Sequence, residues 1–254
     1  MERGEGRGKG RGLNAMRRLL FVAATVLIGL GPALPATAQP DAQPGAPAGA
    51  SLFFDDFDGP ALDRSHWNVE VGPGTAANNE QQSYVDTGET LRIVHGVDAD
   101  GVASALEIKP QFRQASMNRA PRRGDFLSAR LNTKRKAEFT YGTLAARIKL
   151  SAGKGLWPAF WAMGAKGAWP ANGEIDIMEN GGDPAWTTFA MHGPGYSGNT
   201  PITSQATFPA ENDATQWHVY SVDLTKDAAV FRIDGVEKYR VSRTDITKHG
   251  PWAY

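Results

Sequence analysis

Three carboxylates fall within six residues, in Glu174-Ile175-Asp176-Ile177-Met178-Glu179. The apolar residues between them are strand formers, and alternation along a strand puts Glu174 and Asp176 on one face. Glu179 is an odd number of positions from Glu174, so an ideal strand turns it to the other face. A one-residue β-bulge near Ile177-Met178 returns it to the side of Glu174 and Asp176. Like charges so placed push their pKa values apart. One carboxyl stays protonated near neutral pH while another stays ionised, as cleavage of a glycosidic bond requires. One carboxylate attacks, and one carboxylic acid protonates the leaving oxygen. Retaining enzymes hold the two groups about 5–5.5 Å apart. Four strand steps span roughly 13 Å, so either the strand curves or both glutamates lean inward over Asp176. A solvated acidic strand edge carries the same triplet. A carboxylate-only calcium site is a third reading, although apolar spacers suit a sheet better than a calcium loop.

The elements that position such a triplet read as strands. Gly142 to Leu150 alternates, with Leu144, Ala146, Ile148 and Leu150 on one side, and Phe126 to Thr133 alternates similarly. Leu91 to Val94, Ala105 to Lys109 and Trp217 to Leu224 are further strands. Phe231 to Ile233, Asp234-Gly235 and Val236 to Val241 form a hairpin whose turn suits type I′. No long capped 3.6-residue period occurs. With 29 Gly and 16 Pro as punctuation, the expectation is an all-β sandwich or jelly roll.

The chain has 254 residues. Leu19 to Leu30 is apolar, follows Arg17-Arg18 and precedes Ala36-Thr37-Ala38. This is the pattern of a secretory signal peptide over residues 1–38, with Met16 an alternative start. Residues 39–51 are rich in Pro, Ala and Gly and read as a disordered linker. Residues 52–254 read as one globular domain. Six of the 27 basic and two of the 27 acidic residues fall in residues 1–38, leaving a formal charge of −4. A mildly acidic chain lacks the electrostatic footprint for nucleic acid and suits a neutral polysaccharide. There is no cysteine, which excludes thiolate metal sites and cysteine nucleophiles. The expected mature protein is secreted, extracellular and monomeric, with no membrane association, cofactor or metal.

The run Gly155-Leu156-Trp157-Pro158-Ala159-Phe160-Trp161-Ala162-Met163-Gly164, followed by Trp169-Pro170-Ala171-Asn172-Gly173 and the acidic segment, resembles the signature of family 16 glycoside hydrolases. The laminarinase-like endo-β-1,3-glucanases are the most similar branch. Asp55-Asp56-Phe57-Asp58-Gly59, Asn78-Asn79-Glu80-Gln81-Gln82, Ser128 to Thr133 and His192 to Gly198 match the family in order, from about Phe53 to Tyr254. The resemblance implies a curved β-jelly-roll sandwich of the concanavalin A-like lectin/glucanase type, with a glycan cleft on the concave face. It implies Glu174 as nucleophile, Glu179 as general acid/base and Asp176 as the residue orienting Glu174. Asn79, Glu80, Arg130, Trp157, Trp161, Trp169 and His192 are candidate contacts to β-glucan, each with a structural alternative. His66, His95, His218 and His249 show no pattern and read as structural or exposed. The family pattern continues with further strands beyond Tyr254. The expectation from this is a C-terminally incomplete catalytic domain of reduced stability or activity. Hydrolases of mixed-linkage glucan or galactan, and non-catalytic β-glucan-binding proteins, are the alternatives within the same resemblance.

Overall fold

The computed structural model describes residues 52–75, 78–113 and 119–254. The leader and linker expected over residues 1–51 lie outside the described residues. The regular secondary structure of the described residues is almost wholly strand, as the period-2 patterning predicts. In chain order these are β1 (Asn68–Val69), β2 (Gly72–Pro73), β3 (Gln82–Tyr84), β4 (Leu91–His95), β5 (Ser104–Ile108), β6 (Gln111–Phe112), β7 (Phe126–Ser128) and β8 (Leu131–Asn132). There follow β9 (Gly142–Ile148), β10 (Ala159–Met163), β11 (Glu174–Glu179), β12 (Trp186–His192), β13 (Ile202–Thr207), β14 (His218–Leu224), β15 (Ala228–Ile233) and β16 (Val236–Ser242).

Two four-stranded antiparallel sheets carry the core, in the orders β10-β11-β12-β13 and β16-β15-β14-β9. Their facing side chains alternate along the strands, except at Ile177 and Met178, which both enter the core. Ile175, Ile177, Met178, Phe189 and Met191 from the first sheet meet Tyr220, Val222, Phe231, Ile233 and Val241 from the second. Phe189 and Phe231, both fully buried, pack with ring centroids 5.3 Å apart. Burying a side chain of that size contributes about 1.5–3 kcal/mol. The core thus occupies one face of β10–β13 and leaves the other face for chemistry.

The Asp234-Gly235 hairpin forms as expected, with φ of 51° and 76° at the two turn residues. Both values are positive, as a type I′ turn demands. The strand expected over Phe126 to Thr133 is instead two short ones. β7 pairs with β3 and β6, whereas β8 pairs with β1. The change of partner interrupts the ladder at Ala129 and Arg130, although Arg130 still accepts a backbone hydrogen bond from Glu70. His218 is structural. It is buried, with Nδ1 2.7 Å from Asp234 Oδ2 and Nε2 3.0 Å from the Asp213 carbonyl.

Candidate active site

The acidic segment is β11, and its register shifts where the odd spacing requires it. Against β12, Asp176 pairs with Ala190 and Glu179 with Thr188, so three steps on β11 meet two on β12. Against β10, Trp161 pairs with Asp176 and Phe160 with Met178. The bulge lets Ile175, Ile177 and Met178 all enter the core, while Glu174, Asp176 and Glu179 remain on the opposite face. Directly paired residues of an antiparallel sheet share a face. Met163, Trp161 and Ala159 of β10 and His192, Ala190 and Thr188 of β12 therefore flank the three carboxyls.

Each carboxyl has a specific partner. Trp169 donates its indole N–H to Glu174 Oε2 at 2.6 Å, and Trp157 donates to Glu179 Oε1 at 2.8 Å. His192 Nε2 stands 3.2 Å from Asp176 Oδ2, between side chains that are both largely buried. Arg130 lies over the Trp161 ring, 4.7 Å from its centroid, and ion-pairs with Glu70 at 3.1 Å.

Electrostatics separates the two glutamates. Burial and the neighbouring Asp176 charge push the Glu179 carboxyl up to about 7, against the weaker pull of the Trp157 N–H and His192. Burial and Asp176 also raise Glu174, but three groups oppose them there: the Trp169 N–H, His192 and Arg130. Burial pulls the His192 imidazole down. Its hydrogen bond to Asp176 and the charges of Asp176, Glu174 and Glu179 outweigh that and hold it above the ordinary histidine value. The result is an acid that keeps its proton near neutral pH beside a second carboxyl with one more cationic neighbour, Arg130.

The remaining candidates are at graded distances from the chemistry. Trp157 and Trp169 are exposed and aimed at carboxylates, and Trp161 is half-buried beneath Arg130. Glu80 is turned into its own loop. It accepts from the Thr75 backbone N–H at 3.0 Å, the Gln82 amide at 3.0 Å and the Tyr84 hydroxyl at 2.9 Å. Tyr84 in turn packs its ring 5.8 Å from the Arg130 guanidinium, so Glu80 reaches the carboxylate face through Tyr84 and Arg130. Asn79 is exposed on the same loop, with a positive φ of 57°.

Two contributors escaped sequence reasoning. The Tyr254 hydroxyl lies 2.8 Å from the Glu174 carbonyl and 2.5 Å from the His192 carbonyl, bridging β11 and β12 at the site. Its ring passes so close to Gly173 that a Cβ there would stand 2.8 Å from Tyr254 Cε1. Trp186 opens β12, on the same face as Thr188 and His192 by even spacing. That parity, counted back from His192, was the available signal.

Residues 78–253 match the family profile described as Glycosyl hydrolases family 16. The chain is 32% identical over 214 residues to "Glucan endo-1,3-beta-glucosidase A1" of Niallia circulans, covering 77% of this chain and 30% of that protein. It is 29% identical over 239 residues to "Beta-glucanase" of Rhodothermus marinus, covering 91% of this chain and 77% of that one. Among solved structures, the endo-beta-1,3-glucanase from Pyrococcus furiosus superposes with a TM-score of 0.66 at 33% identity, over 78% of this chain and 77% of that one.

Proposed function

The chain belongs to glycosyl hydrolase family 16, with its all-β jelly-roll architecture, and we propose that it is a secreted endo-β-1,3-glucanase acting with retention of configuration. One observation carries this reading: the bulge in β11 gathers Glu174, Asp176 and Glu179 on one face, with Glu179 held up to about 7. In the first step the Glu174 carboxylate attacks the anomeric carbon. The bond to the leaving sugar's oxygen breaks, and the proton of Glu179 passes to that oxygen. In the second step water attacks the anomeric carbon, its proton returns to Glu179, and the bond to Glu174 breaks. Asp176, beside His192, orients the segment, and its charge adds to the burial that keeps Glu179 protonated. The tryptophan N–H groups aim both glutamates, and Arg130 and Trp161 offer a contact surface for glucose rings.

The β-1,3-glucan assignment is supported by the names of the relatives above. The leader-like residues 1–38 support export. Reducing-sugar release from laminarin tests the activity: the wild type releases sugar and Glu174→Ala does not. Equal release by both overturns the assignment of Glu174, and binding of laminarin without release points to a non-catalytic β-glucan-binding protein. Release from lichenan or agarose in preference to laminarin points to a mixed-linkage glucanase or a galactanase. N-terminal sequencing of protein recovered from the medium of an expressing bacterium tests export, with cleavage expected after Ala38.

A further inference from the structure

The Arg130 guanidinium is shared between two groups of carboxylates. It lies over the Trp161 ring, 4.7 Å from the centroid, and Trp161 is paired with Asp176 on the catalytic face. From there its charge acts on Glu174. Outside the catalytic segment it meets Glu70, whose Oε2 is 3.1 Å from Arg130 Nε, and its charge also acts on Glu80. Tyr84 supplies a second ring, 5.8 Å from the guanidinium.

Glu70 is anchored by strand pairing and by a chain of amides. Its N–H donates to the Arg130 carbonyl at 2.9 Å, which continues the β1–β8 ladder by one step. Directly opposed residues share a face, so the Glu70 and Arg130 side chains emerge together. Asn132 donates its amide to Glu70 Oε1 at 2.7 Å. Asn68 in turn donates to Asn132 Oδ1 at 3.0 Å and to the Lys134 carbonyl at 2.9 Å. Glu70 Oε2 is thereby left to the guanidinium. Glu80, by contrast, directs its carboxyl to Thr75, Gln82 and Tyr84. The Glu70–Arg130 pair is partly exposed, and ion pairs of that kind add little to stability. What the anchoring does set is where a guanidinium stands.

We propose that Glu70 is a positioning residue that tethers the Arg130 guanidinium over Trp161 and keeps it from closing on Glu174. The proposal rests on the nucleophilic role assigned to Glu174 above. The groups acting on the Glu174 carboxyl are the Trp169 N–H, Asp176, His192 and Arg130, with Glu179 as a further carboxyl of the cluster. Among these Arg130 is the permanent cation, and its five-donor fork matches a carboxylate in bidentate fashion. A guanidinium closed on Glu174 would occupy the oxygen lone pairs that must attack the anomeric carbon. Held back by Glu70, the same charge favours the ionised nucleophile and leaves its oxygens open.

The test is Glu70→Gln, which keeps the side chain's shape and its hydrogen bond from Asn132 and removes only the charge that holds Arg130. The Glu174 carboxyl is followed by ¹³C NMR across pH, its signal assigned by loss in Glu174→Gln. In Glu70→Gln the released guanidinium closes on Glu174, and the Glu174 midpoint is expected to fall by about one pH unit. In the Arg130→Gln background the same substitution is expected to leave the midpoint in place, because no guanidinium remains to move. A midpoint that stays or rises in Glu70→Gln overturns the proposal. So does an equal fall with and without Arg130, which would mean that Glu70 acts by its own field. Kinetics gives a second readout, kcat/KM for an activated aryl β-laminaribioside. In Glu70→Gln it is expected to fall several-fold, with its acid limb moved to lower pH, and an unchanged value and limb count against the tether. Should the wild type release no sugar from any β-glucan, the assigned activity falls, and the carboxyl titration still decides whether Glu70 restrains Arg130.

Discussion

Trp157 donates its indole N–H to Glu179 Oε1 at 2.8 Å. A donor to a carboxylate favours the ionised form, so this bond draws the Glu179 pKa down from where burial and Asp176 would leave it. Trp169 acts likewise on Glu174. Two tryptophans, one before β10 and one after it, thus tune the two glutamates separately.

The pH profile of kcat/KM reports that tuning. The proposed mechanism needs Glu174 ionised and Glu179 protonated, giving a bell whose alkaline limb lies near pH 7. Trp157→Phe removes the donor to Glu179, raises its pKa and moves the alkaline limb to higher pH. Trp169→Phe raises the Glu174 pKa and moves the acid limb to higher pH, which narrows the bell. Limbs that shift together, or in the opposite sense, would sink this pairing of donors with limbs.

The two glutamates can be assigned separately by azide rescue with an aryl glycoside donor. Glu174→Ala leaves space beside the anomeric carbon, and azide entering there gives the α-glycosyl azide by a single inversion. Glu179→Ala still forms the glycosyl-enzyme when the leaving group needs no proton, and azide then gives the β-azide by double inversion. On laminarin, where the leaving sugar does need a proton, Glu179→Ala is expected to lose about 10²–10⁴-fold in kcat. NMR of the azide products reads the stereochemistry, and the reverse pairing of products would exchange the roles.

Tyr254 supplies a contact that holds the strand pair rather than the substrate. Its hydroxyl sits between the Glu174 and His192 carbonyls, which ties β11 to β12 behind the reacting groups. Tyr254→Phe keeps the ring against Gly173 and removes only the bridge. The expected cost is about 1–2 kcal/mol in stability, together with a several-fold fall in kcat at nearly constant KM. A thermal melt and steady-state kinetics on laminarin check it, and a change confined to KM would argue for a substrate contact instead.

Strand parity made the carboxylate face legible from sequence. Glu174 and Asp176 share a face by even spacing, and the odd step to Glu179 demanded the bulge seen between Asp176 and Glu179. The Asp234-Gly235 turn was equally local, because φ is a property of the residue and its neighbours. Contacts between loops were not local. The tryptophans read as stacking surfaces, whereas Trp157 and Trp169 direct their N–H groups at carboxylates. That orientation depends on loop geometry that no period encodes. The bridge from Tyr254 to Glu174 spans 80 positions and comes from packing alone. The split between β7 and β8 was hidden for a related reason, since a strand's partners are chosen by the sheet and not by its own alternation.

The raised glutamates also make a statement about stability. Unfolded, the Glu179 carboxyl titrates near its ordinary 4.5; folded, burial first and Asp176 second hold it up to about 7. The fold therefore prefers the protonated form. The stability this contributes is fully present below pH 4.5 and is lost as pH rises through about 7. A permanently neutral glutamine does not suffer that loss. Taken at face value the displacement corresponds to roughly 3 kcal/mol, and partial solvent screening reduces the expectation to about 1–2 kcal/mol. Glu179→Gln is therefore expected to melt above the wild type at pH 8 and to match it at pH 4. Urea unfolding at the two pH values measures the difference. A gain of the same size at both would mean that glutamine improves packing rather than relieving a buried charge, and no gain at pH 8 would remove the electrostatic account of why Glu179 holds its proton.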